Sequence, residues 1–302
     1  WCFSRIVFDI LNLFDPFLKI FKESNFFPEY NETEVAAAGE HATFQFAIRS
    51  AAALKDLSIE VSPFTNEEGA TLPAVRPGFV DYVRVSRQTP DRAKDAIPSL
   101  SRYYPDPIIE KDQWNVDRDM AQPIWLTAAI PSDATPGVYK ATFRLTGKTA
   151  NKNFRLEKEI QIKVYPVVME EPSLWVTNWF RTSPQKMKTF NGGKDVELYS
   201  PAYWEMIKEL ALKLKECYSN VILISPLQYI EFIEKDGVYA FDYTQFDKMI
   251  SIFKEAGVLK MIEGGHIAGR SGNWDSQFEP YIPEYKDGKK IMFDHMLTNN
   301  AK

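Results

Sequence analysis

Between Glu34 and Val164, apolar and polar side chains alternate in short runs. In EVAAAGEHATFQFAIR (Glu34 to Arg49), Phe44, Phe46 and Ile48 share one face and Gln45, Ala47 and Arg49 the other. That is the period-two pattern of a half-buried strand. Leu57 to Val61 repeats it, and further strands are predicted at Tyr82–Val85, Ile124–Ala128, Gly137–Leu145 and Leu156–Val164. Pro and Gly punctuate the gaps. In Ser132-Asp-Ala-Thr-Pro-Gly137, proline is preset for a bend and glycine supplies positive φ. Short strands, turn-rich connections and no helical period predict a β-sandwich over 34–166, preceded by a lead-in segment, 1–33.

The pattern changes at Tyr165-Pro-Val-Val-Met-Glu-Glu-Pro172, and 167–173 reads as a linker. Glu170 and Glu171 are neighbours in an extended segment, so their side chains point to opposite sides and suit solvent better than joint catalysis. Strand–helix alternation follows. Leu174 to Phe180 is predicted as a strand and its exit, and Pro201 to Tyr218 as a helix with Tyr203, Ile207, Leu210, Ala211 and Leu214 on one face. Asn220 to Ser225 is a continuous apolar strand, as in a parallel sheet covered on both sides. Phe241 to Gly257 is a second helix with Asp242 as N-cap and Gly257 as its stop, and Val258 to Ile262 a third strand. Three β–α units in order predict the first part of a TIM-like (β/α)8 barrel, or of a doubly wound sheet, over 174–302.

The third predicted strand runs into Met261-Ile-Glu-Gly-Gly-His-Ile-Ala-Gly-Arg270, with Trp274 close behind. Two glycines free the backbone beside an imidazole, a guanidinium and an indole, the way a barrel builds a pocket at the C-terminal ends of its strands. Such a loop suits a polar, ring-shaped ligand such as a sugar. Asn178 and Trp179 leave the first predicted strand at the same end.

Composition narrows the function classes. The chain has 302 residues, enough for about two domains, and its net charge of −5 gives no reason to expect nucleic-acid phosphates as a partner. No apolar run is long enough to span a bilayer. Aromatics make up 14% of residues, which suits either large cores or sugar-stacking surfaces. Cys2 and Cys217 cannot build a disulfide framework, and Cys217, at the end of a helical run, reads as a small buried residue. His41 and His295 have no partner pattern, so neither a metal nor a cofactor is predicted. The chain begins at Trp1, as a piece of a longer product would. Its apolar opening is interrupted by Arg5 and Asp9 and makes a poor signal peptide.

The order of these segments carries a family resemblance. Glu34 to Arg49 is similar to the first strand of the sandwich that precedes certain bacterial glycosidase barrels. WLTAAIPSDATPGVYKATF (Trp125 to Phe143) looks like that sandwich's W-x-x-x-x-I-P-x-x-A-x-P-G-x-Y-x-G pattern, with Ala141 where glycine is common. With Leu174–Phe180, Asn220–Ser225 and the Gly-Gly-His loop, these resemble glycoside hydrolase family 123 and related domain-of-unknown-function proteins of gut Bacteroidetes, over most of 34–280.

The resemblance implies a retaining β-N-acetylgalactosaminidase. In such an enzyme the substrate's own acetamido oxygen attacks the anomeric carbon, an Asp orients the amide, and the adjacent Glu is acid/base. The family's Asp-Glu pair lies at the end of the fourth barrel strand, and no Asp-Glu dipeptide occurs in this sequence. No catalytic residue is therefore carried over, and the fragment is expected to be inactive alone. What remains is the first half of a sugar-binding face: Asn178, Trp179, His266, Arg270 and Trp274. Three of them have a structural alternative: Trp179 as a core aromatic, His266 as a loop brace, and Arg270 as a partner of Asp275. Glu263, last in its strand, suits either a role at the site or a salt bridge. The implied partner is a glycan, and the implied location is secreted, periplasmic or at the cell surface. The rival reading is a non-catalytic glycan-binding or scaffold protein that kept the barrel without the chemistry. Oligomeric state is left open.

Overall fold

The structure is a computed structural model that describes residues 8–25, 30, 33–86, 102–150, 152–170, 173–236, 238–265, 268–270, 274–276, 278–280, 283–286 and 289–292. Two compact units divide the chain, residues 1–170 and 171–302.

The first unit holds β1 (Phe8–Phe14), β2 (Glu34–Ala38), β3 (His41–Ser50), β4 (Leu54–Val61), β5 (Arg76–Val85), β6 (Arg102–Ile109), β7 (Trp114–Val116), β8 (Ala121–Ala129), β9 (Gly137–Lys148) and β10 (Asn153–Val168). They form two five-stranded sheets, β1-β3-β8-β5-β6 and β2-β10-β9-β4-β7. The β2–β10 pairing is parallel and the other neighbours run antiparallel. Phe44, Phe46, Ile48, Ile124 and Leu126 of the first sheet meet Tyr139, Phe143, Leu145 and Ile162 of the second in one core. The rings of Phe46 and Phe143 stack across the interface with centroids 4.1 Å apart. Burying each such side chain stabilises the fold by roughly 1.5–3 kcal/mol. This is the expected β-sandwich.

Two expectations need correction here. Glu34 to Arg49 is not one strand. Gly39, at φ +91°, turns the chain so that β2 and β3 enter different sheets, and the Ala37 N–H donates to Glu40 Oε2 at 2.7 Å to close the turn. The lead-in segment is not outside the sandwich either, because β1 pairs with β3 along the edge of the first sheet. The chain that follows covers the outer face of β3, which is therefore buried on both sides. Gln45, 4% exposed, donates to the carbonyls of Asp15 and Leu18, and Ala47 packs with Phe14, Ile20 and Ala121. Tyr82 closes this layer by donating to the Ala121 carbonyl at 2.9 Å. Burial, aided by nearby Glu23 and Asp81, pushes its phenol well above the ordinary range.

The second unit contains α1 (Pro184–Phe190), α2 (Pro201–Glu216), β11 (Val221–Leu223), α3 (Pro226–Tyr229), β12 (Glu231–Lys235), β13 (Val238–Asp242), α4 (Thr244–Glu255) and β14 (Met261–Glu263). Short strands follow at β15 (Ala268–Arg270), β16 (Phe278–Pro280), β17 (Pro283–Lys286) and β18 (Lys289–Met292). The Ser200 hydroxyl accepts the Tyr203 N–H to cap α2, whose inner face buries Tyr203, Trp204, Ile207, Ala211 and Leu214. β11 and β14 pair in parallel, and Thr177 makes a parallel bridge to Val221. Three parallel segments therefore lie side by side in chain order, with helices between them.

Around this core the reading of the sequence departs from the structure. The first segment is a single bridge, not a strand over Leu174–Phe180, and the third strand is Met261–Glu263 rather than Val258–Ile262. The second helix starts at Thr244, since Phe241 and Asp242 belong to a hairpin in which β13 pairs with β12. Asp242 still serves the helix start, accepting the Thr244 N–H at 2.8 Å, and Gly257 leaves the far end at φ +76°. β12 also joins β17 and β18 in a four-stranded sheet that the apolar pattern did not show. Cys217 is exposed rather than buried, and it stands at the C-cap of α2, beyond the last buried residue of that helix, Leu214. An eight-stranded barrel is not seen among the described residues.

Candidate functional site

At the C-terminal ends of the three parallel segments lies a cavity of about 900 Å³. Trp179 to Pro184 come from the exit of the first segment, Ser225 from the second and Glu263 to Gly265 from the third. Tyr229 and Glu231 close it from α3 and the start of β12.

Glu263 ends β14 half-buried. Its Oε2 accepts the Trp179 indole N–H at 2.9 Å and lies 3.4 Å from the Thr177 hydroxyl. Thr177 and Trp179 are two apart in an extended segment, so both side chains reach the same neighbour. Asn178, between them, faces the other way and donates from Nδ2 to Ser219 Oγ at 2.5 Å. The loop after Glu263 depends on glycine at one position: Gly265 sits at φ +72°, and a Cβ there would stand 3.2 Å from the Ser225 Cβ. A Cβ at Gly264 would meet nothing within 4 Å.

The opposite wall is held by hydroxyls. Thr182, 5% exposed, hydrogen-bonds through Oγ1 to the Tyr229 hydroxyl, and its carbonyl accepts from the Tyr203 hydroxyl at 3.2 Å. Gln228 Nε2 lies 3.4 Å from Thr182 Oγ1, and Tyr199 donates to the Gln228 carbonyl at 3.1 Å. Burial raises the Tyr229 and Tyr203 phenols above their ordinary value, so both stay neutral. They can position the loop that carries Trp179 but are poor bases.

Of the residues singled out from the sequence, Trp179 lines the cavity and is 64% exposed, so it is not a core aromatic. Asn178 is turned away toward Ser219. Arg270 lies in β15, opposite Phe278 of β16. Trp274 is 86% exposed and is not among the described residues that line the cavity. His266 lies outside the described residues. Glu263 takes an indole and a hydroxyl, and no ion pair to it occurs among the described residues, against the expectation of a salt bridge. Sequence reasoning missed Thr182, Tyr229, Arg181 and Glu231. Arg181 was readable as the residue two beyond Trp179 on the same exit. Pro226, directly after an apolar run, marks the short helix that delivers Tyr229 and Glu231. No group of three His, Cys, Asp or Glu able to hold a metal occurs among the described residues, and no described helix is long and apolar enough to cross a membrane.

Two family models match the chain: the glycoside hydrolase 123 N-terminal domain at residues 22–147 and the glycoside hydrolase 123 catalytic domain at residues 184–296. Among solved structures, the chain is similar to a family 123 glycoside hydrolase from Clostridium perfringens, whose structure addresses glycolipid glycan hydrolysis. The TM-score is 0.58 at 16% identity, over 76% of this chain and 42% of that one. The likeness is one of fold, and the chain spans about two-fifths of that enzyme. The CooA pilin subunit of enterotoxigenic Escherichia coli (12% identity, 44% of this chain, 90% of that, TM-score 0.26) falls below a shared fold. So does the AggA fimbrial subunit of Escherichia coli (11% identity, 45% of this chain, 91% of that, TM-score 0.27). No curated protein sequence matches the chain.

Proposed function

The chain belongs to glycoside hydrolase family 123, and on that premise we propose that its second unit binds a glycan in the cavity that Trp179 and Glu263 line together. The observation that carries this reading is the exposed Trp179 indole, held by its N–H to Glu263 at the rim of a cavity of about 900 Å³. An anchored aromatic face beside convergent polar groups is the arrangement a pyranose ring requires. His266, Arg270 and Trp274 are proposed to extend this face, and Asn178 to support it from behind. The three parallel segments with helices between them support a TIM-like (β/α)8 plan for the unit.

The proposed substrate class is an N-acetylhexosamine-containing glycan, with retention of configuration through the substrate's own acetamido group. In that chemistry one carboxyl orients the amide while its oxygen attacks the anomeric carbon, and a second protonates the leaving oxygen. These 302 residues are proposed to contribute binding and orientation without hydrolysis. A secreted, periplasmic or cell-surface location suits such a substrate. A second reading, a glycan-binding protein without catalysis, is favoured by one feature. The cavity-lining carboxylates described, Glu231 and Glu263, come from separate elements rather than from one adjacent pair.

The test is calorimetric binding of methyl N-acetyl-β-D-galactosaminide to the 302-residue chain, beside turnover of an aryl N-acetyl-β-galactosaminide. Binding without release of the aryl group is expected. Turnover that is abolished by Glu263→Gln would show that the catalytic site is misplaced.

A further inference from the structure

We infer that Glu263 is the specificity-determining acceptor of this cleft, taking a hydrogen bond from one particular hydroxyl of the sugar that stacks on Trp179. The inference rests on the reading of the cleft as a glycan site.

An ionised carboxylate accepts only, through two oxygens with about four lone-pair positions. Oε2 of Glu263 already receives the Trp179 indole at 2.9 Å and faces the Thr177 hydroxyl at 3.4 Å. Oε1 takes no hydrogen bond among the described residues, and no cation pairs with the group there. The carboxylate is thus held in place on one side and left wanting a donor on the other. The next residue adds no side chain, and a Cβ at Gly264 would meet nothing within 4 Å, so space beside the strand end is open. At Gly265 a Cβ would stand 3.2 Å from the Ser225 Cβ, so the loop passes close to Ser225 just beyond that opening.

The indole–carboxylate bond joins the two halves of recognition. Because its N–H points at Glu263, the Trp179 ring has a set orientation relative to the acceptor. A pyranose lying on the ring then brings only one or two of its hydroxyls within reach. A stacked ring alone tolerates many sugars, since every pyranose has an apolar face. A fixed charged acceptor does not, because a sugar lacking the donor leaves the carboxylate desolvated and unpaired.

The experiment measures affinity of methyl N-acetyl-β-D-galactosaminide and its 3-, 4- and 6-deoxy analogues for the wild-type chain, Glu263→Gln and Trp179→Ala. One deoxy analogue is expected to bind the wild type roughly ten- to a hundredfold more weakly, the range for a hydrogen bond to a charged group. Glu263→Gln should lose a similar factor with the parent sugar and bind that one analogue no worse than the parent. If Trp179→Ala loses binding while Glu263→Gln binds as the wild type does, this inference falls and the cleft reading stands. If the wild type does not bind, or neither variant weakens binding, both fall. The analogue series on the wild type decides the matter even if a variant fails to fold: deoxy sugars all within about twofold of the parent would overturn the role of Glu263.

Discussion

Asn220 holds Val176 from two sides: its Oδ1 accepts the Val176 N–H at 2.8 Å, and its own backbone N–H donates to the Val176 carbonyl at 3.0 Å. The same side chain donates from Nδ2 to the Leu174 carbonyl at 2.8 Å. A side-chain amide thus replaces part of a strand ladder, which is why the segment leading to Trp179 shows a single bridge. Asn220 is 7% exposed, so removing its amide strands backbone groups away from water. We predict that Asn220→Ala lowers stability by about 2–3 kcal/mol, read from the urea midpoint. Asn220→Asp, which keeps the acceptor for Val176 but turns a second oxygen toward the Leu174 carbonyl in a buried site, should lose at least as much. An unchanged midpoint in the alanine variant would refute this role.

The same segment shows what a linear pattern can and cannot carry. Phe44, Phe46 and Ile48 were legible as a core face because strand alternation is local, and Tyr203, Ile207, Ala211 and Leu214 because helical spacing is local. Trp179 was legible as a pocket residue since it leaves an apolar run at the correct end. Asn178 was not separable from it, because an alternating segment reveals its two faces but not which one looks into a cavity. The start of the helix was placed at Phe241 because Asp242 suits an N-cap, and nothing local marks Phe241 and Asp242 as the end of a strand. Only pairing with β12, turned at Asp236 with φ +53°, separates them from α4. Thr182 and Tyr229 are 47 residues apart and meet through hydroxyls, a contact no periodicity reports.

The two glycines after β14 are predicted to behave differently. Gly265→Ala forces a side chain onto a backbone at φ +72° and against Ser225, and is expected to cost about 1–2 kcal/mol in thermal or urea unfolding. Gly264→Ala meets nothing within 4 Å and should stay within about 0.5 kcal/mol of wild type. Equal effects in the two variants would mean that the Ser225 contact does not fix the loop.

A pH dependence is expected from the outer face of the second sheet. Glu157 accepts from Arg144 at 2.6 Å and from Arg155 at 2.6 Å, and those bonds, Arg144 first, hold its carboxyl below the ordinary range. A depressed folded-state value stabilises the fold above the unfolded carboxylate pKa of about 4.3 and is lost as pH falls through the folded value. The stability difference between wild type and Glu157→Gln should therefore be full near neutrality and shrink as the medium turns acid below that pH. Urea midpoints for both proteins across the range read this directly. A difference that grows on acidification would contradict the sign.

The bond between Trp179 and Glu263 predicts coupling, not merely two contributions. Trp179→Phe keeps an aromatic ring but removes the indole N–H, so Glu263 loses its anchor at 2.9 Å while a stacking surface remains. Trp179→Ala removes both. With methyl N-acetyl-β-D-galactosaminide, Trp179→Ala should weaken binding roughly tenfold, as expected for an aromatic contact worth about 0.5–1.5 kcal/mol. Trp179→Phe should fall between it and wild type. If the anchor matters, Glu263→Gln will cost less in the Trp179→Phe background than in wild type, because an unanchored carboxylate must first be ordered to meet the sugar. A double-mutant cycle would then give an interaction of about 0.5 kcal/mol or more, in the range for residues in direct contact. Strict additivity would mean that ring and carboxylate bind independently, and that the indole N–H serves only to satisfy itself.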